Sequence, residues 1–103
     1  MERTKTGRGF EIILFTDRHG AKCSIQESSL ATENAIWFGV NDADPKILAS
    51  DASKLGINTS ETSGWISYTI PNEVILNTRM HLTQETVKNI LPILIKFADT
   101  GKL

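Results

Sequence analysis

Between Leu82 and Gly101 the apolar residues recur every three or four positions: Val87, Ile90, Leu91, Leu94, Phe97 and Ala98. At about 100° per residue they fall on one stripe, so this segment predicts an amphipathic helix. Thr83 stands where an N-cap is needed, and Glu85 suits the positive end of the helix dipole. Leu82 and Val87 occupy the two positions of a hydrophobic staple, and Gly101 suits the C′ position. Pro92 inside the segment removes one backbone hydrogen bond and is expected to kink the axis. Ile93 and Ile95 flank the stripe and widen the apolar arc to roughly half the circumference. That width fits a helix sunk into its own sheet, with Leu91 mid-stripe and buried. It fits equally a helix touched by both sheet and partner.

A lone helix cannot bury such a face, and the rest of the chain reads as β. Residues 9–15 form a short apolar, β-branched and aromatic run. Asp17-Arg18-His19-Gly20 reads as a hairpin loop. Ala21, Cys23 and Ile25 alternate with Lys22, Ser24 and Gln26, the period of a half-buried strand. Ala35–Val40 is the most hydrophobic strand candidate, with Trp37 expected in the core. Residues 65–70 and 73–82 predict two more strands, joined by a turn at Pro71-Asn72. Residues 1–8 are polar and expected to fray. Residues 41–64 break the pattern as a long polar loop, in which Pro45 favours a short helix through Ala52. Such a connection is unusual in a small domain and tends to carry function or mobility. The expected fold is α+β: an antiparallel β-meander of about five strands packed by one C-terminal helix. No repeat or internal boundary is visible, so residues 1–103 read as a single domain.

Eleven basic against twelve acidic residues leave a formal charge of −1, so nothing draws this chain strongly to nucleic acid. The single cysteine, Cys23, excludes an internal disulfide and a cysteine-rich metal site. The first residues lack the apolar region of a secretory signal, and no apolar run reaches the length of a membrane span. The expectation is a cytoplasmic protein with no membrane partner. A core this thin is naturally extended by oligomerisation, and a dimer or higher homo-oligomer is expected.

Enzyme motifs are absent. His19 and His81 have no second ligand at metal-binding spacing. Asp42 and Asp44 lack the further ligands of a calcium loop. Ser28-Ser29 has no nucleophile-elbow context, and Gly7-Arg8-Gly9 precedes a strand rather than a phosphate-binding helix. No catalytic residue, metal site or cofactor is assigned. Four residues remain as ligand-binding candidates. Arg79 has a guanidinium suited to phosphate or carboxylate, and shares a strand phase with His81. Trp65 offers an indole at the end of the polar loop. Ser29 is the fourth.

Longer strings of residues carry a resemblance. They are Gly9-Phe10, Phe15-x-Asp17-Arg18-x-Gly20-x-x-Cys23-Ser24-x-Gln26-x-Ser28-Ser29-Leu30-Ala31 and Ile36-Trp37-x-Gly39. Further on stand Thr78-Arg79-Met80-His81-Leu82-Thr83, Leu91-Pro92-x-Leu94 and Phe97-x-x-Thr100-Gly101. Together, over nearly the whole chain, they resemble a group of small, mostly uncharacterised proteins encoded by bacteriophages and prophages. The resemblance implies a phage origin and expression in the cytosol of an infected bacterium. It implies no activity. The reading that follows is a non-enzymatic phage accessory protein that binds a small anionic, nucleotide-like ligand at an oligomer interface, as proteins that evade host immune signalling do. The alternative is a protein–protein module that inhibits or adapts a host or virion protein.

Overall fold

In chain order the computed structural model, which describes residues 1–103, contains strands β1 (Glu2–Lys5), β2 (Glu11–Thr16), β3 (Lys22–Glu27), β4 (Ala35–Val40) and β5 (Lys46–Leu48). A 3-10 helix (Ala49–Leu55), β6 (Trp65–Ser67), β7 (Met80–Thr83) and helix α1 (Gln84–Thr100) follow. Residues Met1–Asn41 and Asn77–Leu103 make one compact unit, and Asp42–Leu76 make another.

The first unit is an antiparallel sheet of five strands in the order β1-β2-β3-β4-β7, packed by α1. This is the expected α+β class. The β2–β3 hairpin turns where Asp17 Oδ1 accepts from the backbone N–H groups of His19 and Ala21, at 2.8 and 2.9 Å. The N-terminus does not fray: β1 pairs with β2 from Glu2↔Leu14 to Lys5↔Glu11. Arg3 and Lys5 project to one side of that strand, and each lies 3.6 Å from the Glu11 carboxylate.

Strand alternation gives the sheet two unlike faces. One carries Ile13, Phe15, Cys23, Ile25, Ile36, Phe38 and Leu82. There the rings of Phe15 and Phe38 meet edge to face at 6.2 Å, and Cys23 and Leu82 are buried. The other face holds a row of directly paired residues, Ile12, Gln26, Trp37 and His81.

Two expectations about the end of the sheet need correction. The strand predicted over 73–82 pairs only from Met80 to Thr83. Ahead of it, Asn77 Oδ1 accepts from the Arg79 N–H at 3.2 Å, a local bond that competes with ladder pairing. The stripe of α1 is also not sunk in the sheet. Val87 and Ile90 are half-buried, but every residue from Leu91 to Thr100 is exposed. Geometry explains this: α1 is about 25 Å long, and it leaves an edge strand of four residues, about 13 Å. Only its first turns find sheet beneath them.

The second unit revises the polar loop. β5 and β6 pair from Lys46↔Ser67 to Leu48↔Trp65, so the segment after Pro45 is a strand and not the start of a helix. The 3-10 helix follows, burying Ala49 and Ala52, two small side chains three apart on its inner side. Gly56 closes it with φ 70°. Residues 65–70, expected as a strand of the main sheet, supply only Trp65–Ser67, and these belong to the two-stranded sheet.

Candidate functional site

The polar face of the main sheet gathers its chemistry around Trp37. Direct pairing across β4 and β7 sets His81 opposite Trp37, and their rings stack with centroids 3.9 Å apart and planes 6° from parallel. The Arg79 guanidinium lies over the same indole, 5.5 Å from its centroid. Arg79 and His81 are two apart, so the phase read from the sequence does bring both to one ring. Trp37, expected in the core, instead forms the floor of this cluster.

Two further side chains complete it. Arg79 Nη1 donates to Gln26 Oε1 at 3.0 Å, and His81 Nε2 meets Ser28 Oγ at 2.9 Å. Gln26 joins through its register with Trp37. Ser28 stands just past β3, its backbone N–H held by the Ala35 carbonyl at 2.9 Å. Ser29 is exposed beside it, outside these hydrogen bonds. Trp65 lies on β6 in the second unit and is 67% exposed.

The electrostatics of the cluster are one-sided. Arg79 takes part in none of the molecule's ion pairs, which join Arg3, Lys5, Lys46 and Lys54 to Glu11, Asp44 and Asp51. Its Nε is enclosed without a hydrogen-bond acceptor. An unpartnered polar atom of this kind costs about 1–3 kcal/mol. Gln26 gives Arg79 a neutral oxygen and no charge. The cluster therefore combines an uncompensated cation, a pile of two flat rings and neutral hydrogen-bonding groups.

A groove of about 350 Å³ adjoins the cluster at Ser28, with Leu30, Ile36, Leu82 and Val87 in its walls. Glu27 and Glu33 also line it, which makes it a poor seat for an anion. The Glu27 carboxylate is occupied as well, accepting from the Glu11 N–H at 2.7 Å. No three His, Cys, Asp or Glu side chains gather into a metal-binding set. No helix is long and apolar enough to cross a membrane.

Sequence reasoning found Arg79 and His81 but missed Trp37, Gln26 and Ser28. Their signal is the register of β3, β4 and β7, a long-range property. A local hint exists in Ala35-x-Trp37-x-Gly39, where small residues flank the ring on its own face. Comparison of the chain with protein-family models, with curated proteins and with solved structures yields no match.

Proposed function

We propose that the Arg79–Trp37–His81 face binds a small anionic ligand that carries a planar ring, a nucleotide or a nucleotide-derived signal being the best chemical fit. The observation that carries this reading is the Arg79 guanidinium, which has no carboxylate partner and lies against an indole. Phosphate oxygens would supply charge-assisted acceptors for Arg79. The exposed outer face of the His81 ring would extend the indole stack to a base. Gln26 and Ser28 would read polar edges of the ligand. The protein acts by binding rather than by turnover, as a homo-oligomer whose copies complete the pocket. The string resemblance supports reading it as a phage accessory protein of the bacterial cytosol, where sequestering a nucleotide signal would blunt host immunity.

A thermal-shift screen against cyclic nucleotides and nucleotide metabolites should yield a stabilising ligand. Isothermal titration of folded Arg79→Ala should then show binding weakened by roughly 10- to 100-fold, the equivalent of about 1.5–3 kcal/mol for hydrogen bonds to a charged group. Unchanged affinity would reject Arg79 and direct attention to Trp65 and residues 41–64. A screen without any ligand would favour the second reading, a module that inhibits or adapts a host or virion protein. That reading draws on the exposed apolar half of α1.

A further inference from the structure

We infer that Gln26 sets the class of ligand at the Arg79 face. By withholding a counter-charge from the guanidinium, it keeps the face open to an oxyanion. The inference rests on the ligand reading above and adds to it the residue that decides whether an anion binds.

Strand alternation separates Arg79 from the carboxylates of the neighbouring strands. Gln26 pairs with Ile12 on one side and Trp37 on the other, and Trp37 pairs with His81, so this row holds no acid. Glu11 and Glu27, the next residues along β2 and β3, alternate to the opposite face. There Glu11 pairs with Arg3 and Lys5, and Glu27 Oε1 accepts from the Glu11 N–H at 2.7 Å. Arg3, Lys5, Lys46 and Lys54 each have a carboxylate partner, whereas Arg79, lying over an indole, has an amide. Glutamate and glutamine have nearly the same shape, so packing does not choose between them at position 26. A carboxylate there would meet the same Nη1, now 3.0 Å from the amide oxygen, in a contact roughly twice as strong. The chain forgoes that stability, as sites shaped for a ligand do.

The amide also fixes the polarity of the face. A guanidinium has no acceptor, so Gln26 turns its oxygen to Arg79 and leaves its Nε2 hydrogens for another partner. Neither that Nε2 nor Arg79 Nη2 is bonded within the chain, and neither is enclosed, since Arg79 Nε is the only enclosed side-chain atom without a hydrogen bond. Donors are therefore free on both sides of the Arg79–Gln26 contact. A phosphate or carboxylate offers acceptors and charge together and matches them; a neutral alcohol or amide brings no charge. Gln26→Glu would exchange a donor for an acceptor and cancel the charge of Arg79, with almost no change of shape.

The test is Gln26→Glu in the full chain, read in two ways. Without ligand, its thermal midpoint should rise by roughly 4–8 °C, the shift that one stronger charged contact gives a domain of this size. The rise should vanish when Gln26→Glu is combined with Arg79→Gln, which keeps a hydrogen-bonding side chain but no charge. With adenosine monophosphate as the probe, isothermal titration should show binding to Gln26→Glu weakened by roughly 10-fold or more relative to the wild type. A midpoint that does not rise, or that rises equally beside Arg79→Gln, overturns the inference, because Arg79 then lacks nothing that a carboxylate supplies. A rise with unchanged affinity for the probe also overturns it and leaves the ligand reading intact. A wild type that binds neither adenosine monophosphate nor inorganic pyrophosphate defeats the ligand reading, and the inference with it, whatever the midpoints show.

Discussion

Gly39 allows the chain to cross over β4 at the edge of the site. Its φ is 153°, and a Cβ there would lie 2.5 Å from the Thr78 carbonyl oxygen and 2.8 Å from the Arg79 Cα. Both clashes are with backbone, which cannot swing aside like a side chain. Gly39→Ala should therefore destabilise the protein by roughly 1–3 kcal/mol, the usual range for overpacking, and should displace Arg79 from Trp37. Urea denaturation checks the first effect, and a change in Trp37 fluorescence the second. A loss under about 0.5 kcal/mol would show that residues 78–79 can shift at little cost. The sequence made Arg79 and His81 legible as neighbours because strand phase is a two-residue property. It could not reveal that Trp37 lies between strands supplying Gln26 and His81, since that depends on pairing across tens of residues.

At the scale of elements, α1 shows what local signals can and cannot specify. Its ends follow the sequence closely: the Thr83 hydroxyl accepts from the Thr86 N–H at 3.1 Å, and the Gly101 N–H donates to the Phe97 carbonyl at 2.8 Å with φ 75°. Thr83→Ala should cost about 1 kcal/mol through loss of this cap, measured by thermal melting. An unchanged midpoint would mean that the first turn is held by Leu82 and Val87 alone. What covers the stripe was not legible, because periodicity marks an apolar face without naming its partner. Burial against its own sheet would have made Leu91→Ala cost roughly 2–5 kcal/mol. Leu91 is 47% exposed, so within one chain the loss should stay under about 1 kcal/mol. Repeating the measurement across protein concentrations separates the two cases. A larger loss that shrinks on dilution belongs to a helix face covered by a second copy.

At the scale of the molecule, the sheet is interrupted by an insertion whose ends are held together. The Thr78 N–H donates to the Val40 carbonyl at 3.2 Å, so the two points where residues 42–76 leave and rejoin the first unit are adjacent. The sequence showed this segment as polar and irregular. It hid the small fold inside, because Ile47, Ala49, Ala52 and Ile66 are scattered and short of any period. Contacts within each unit suggest that the main sheet needs only a short connection there. Replacing 42–76 by a tight Asn-Gly turn should therefore leave β1–β4, β7 and α1 folded, since such a turn joins hairpin ends without strain. Amide exchange should show the sheet protected as in the full chain. Loss of that protection would mean that the insertion contributes to the sheet's stability. The same variant decides between the ligand-site candidates. It lacks Trp65 but keeps Arg79, His81, Trp37, Gln26 and Ser28. If these form the site, a ligand of the full chain will still bind, and Arg79→Ala on this background will weaken it by the same roughly 10- to 100-fold. If the folded variant fails to bind, the insertion carries part of the site, and Trp65 becomes the first residue to substitute.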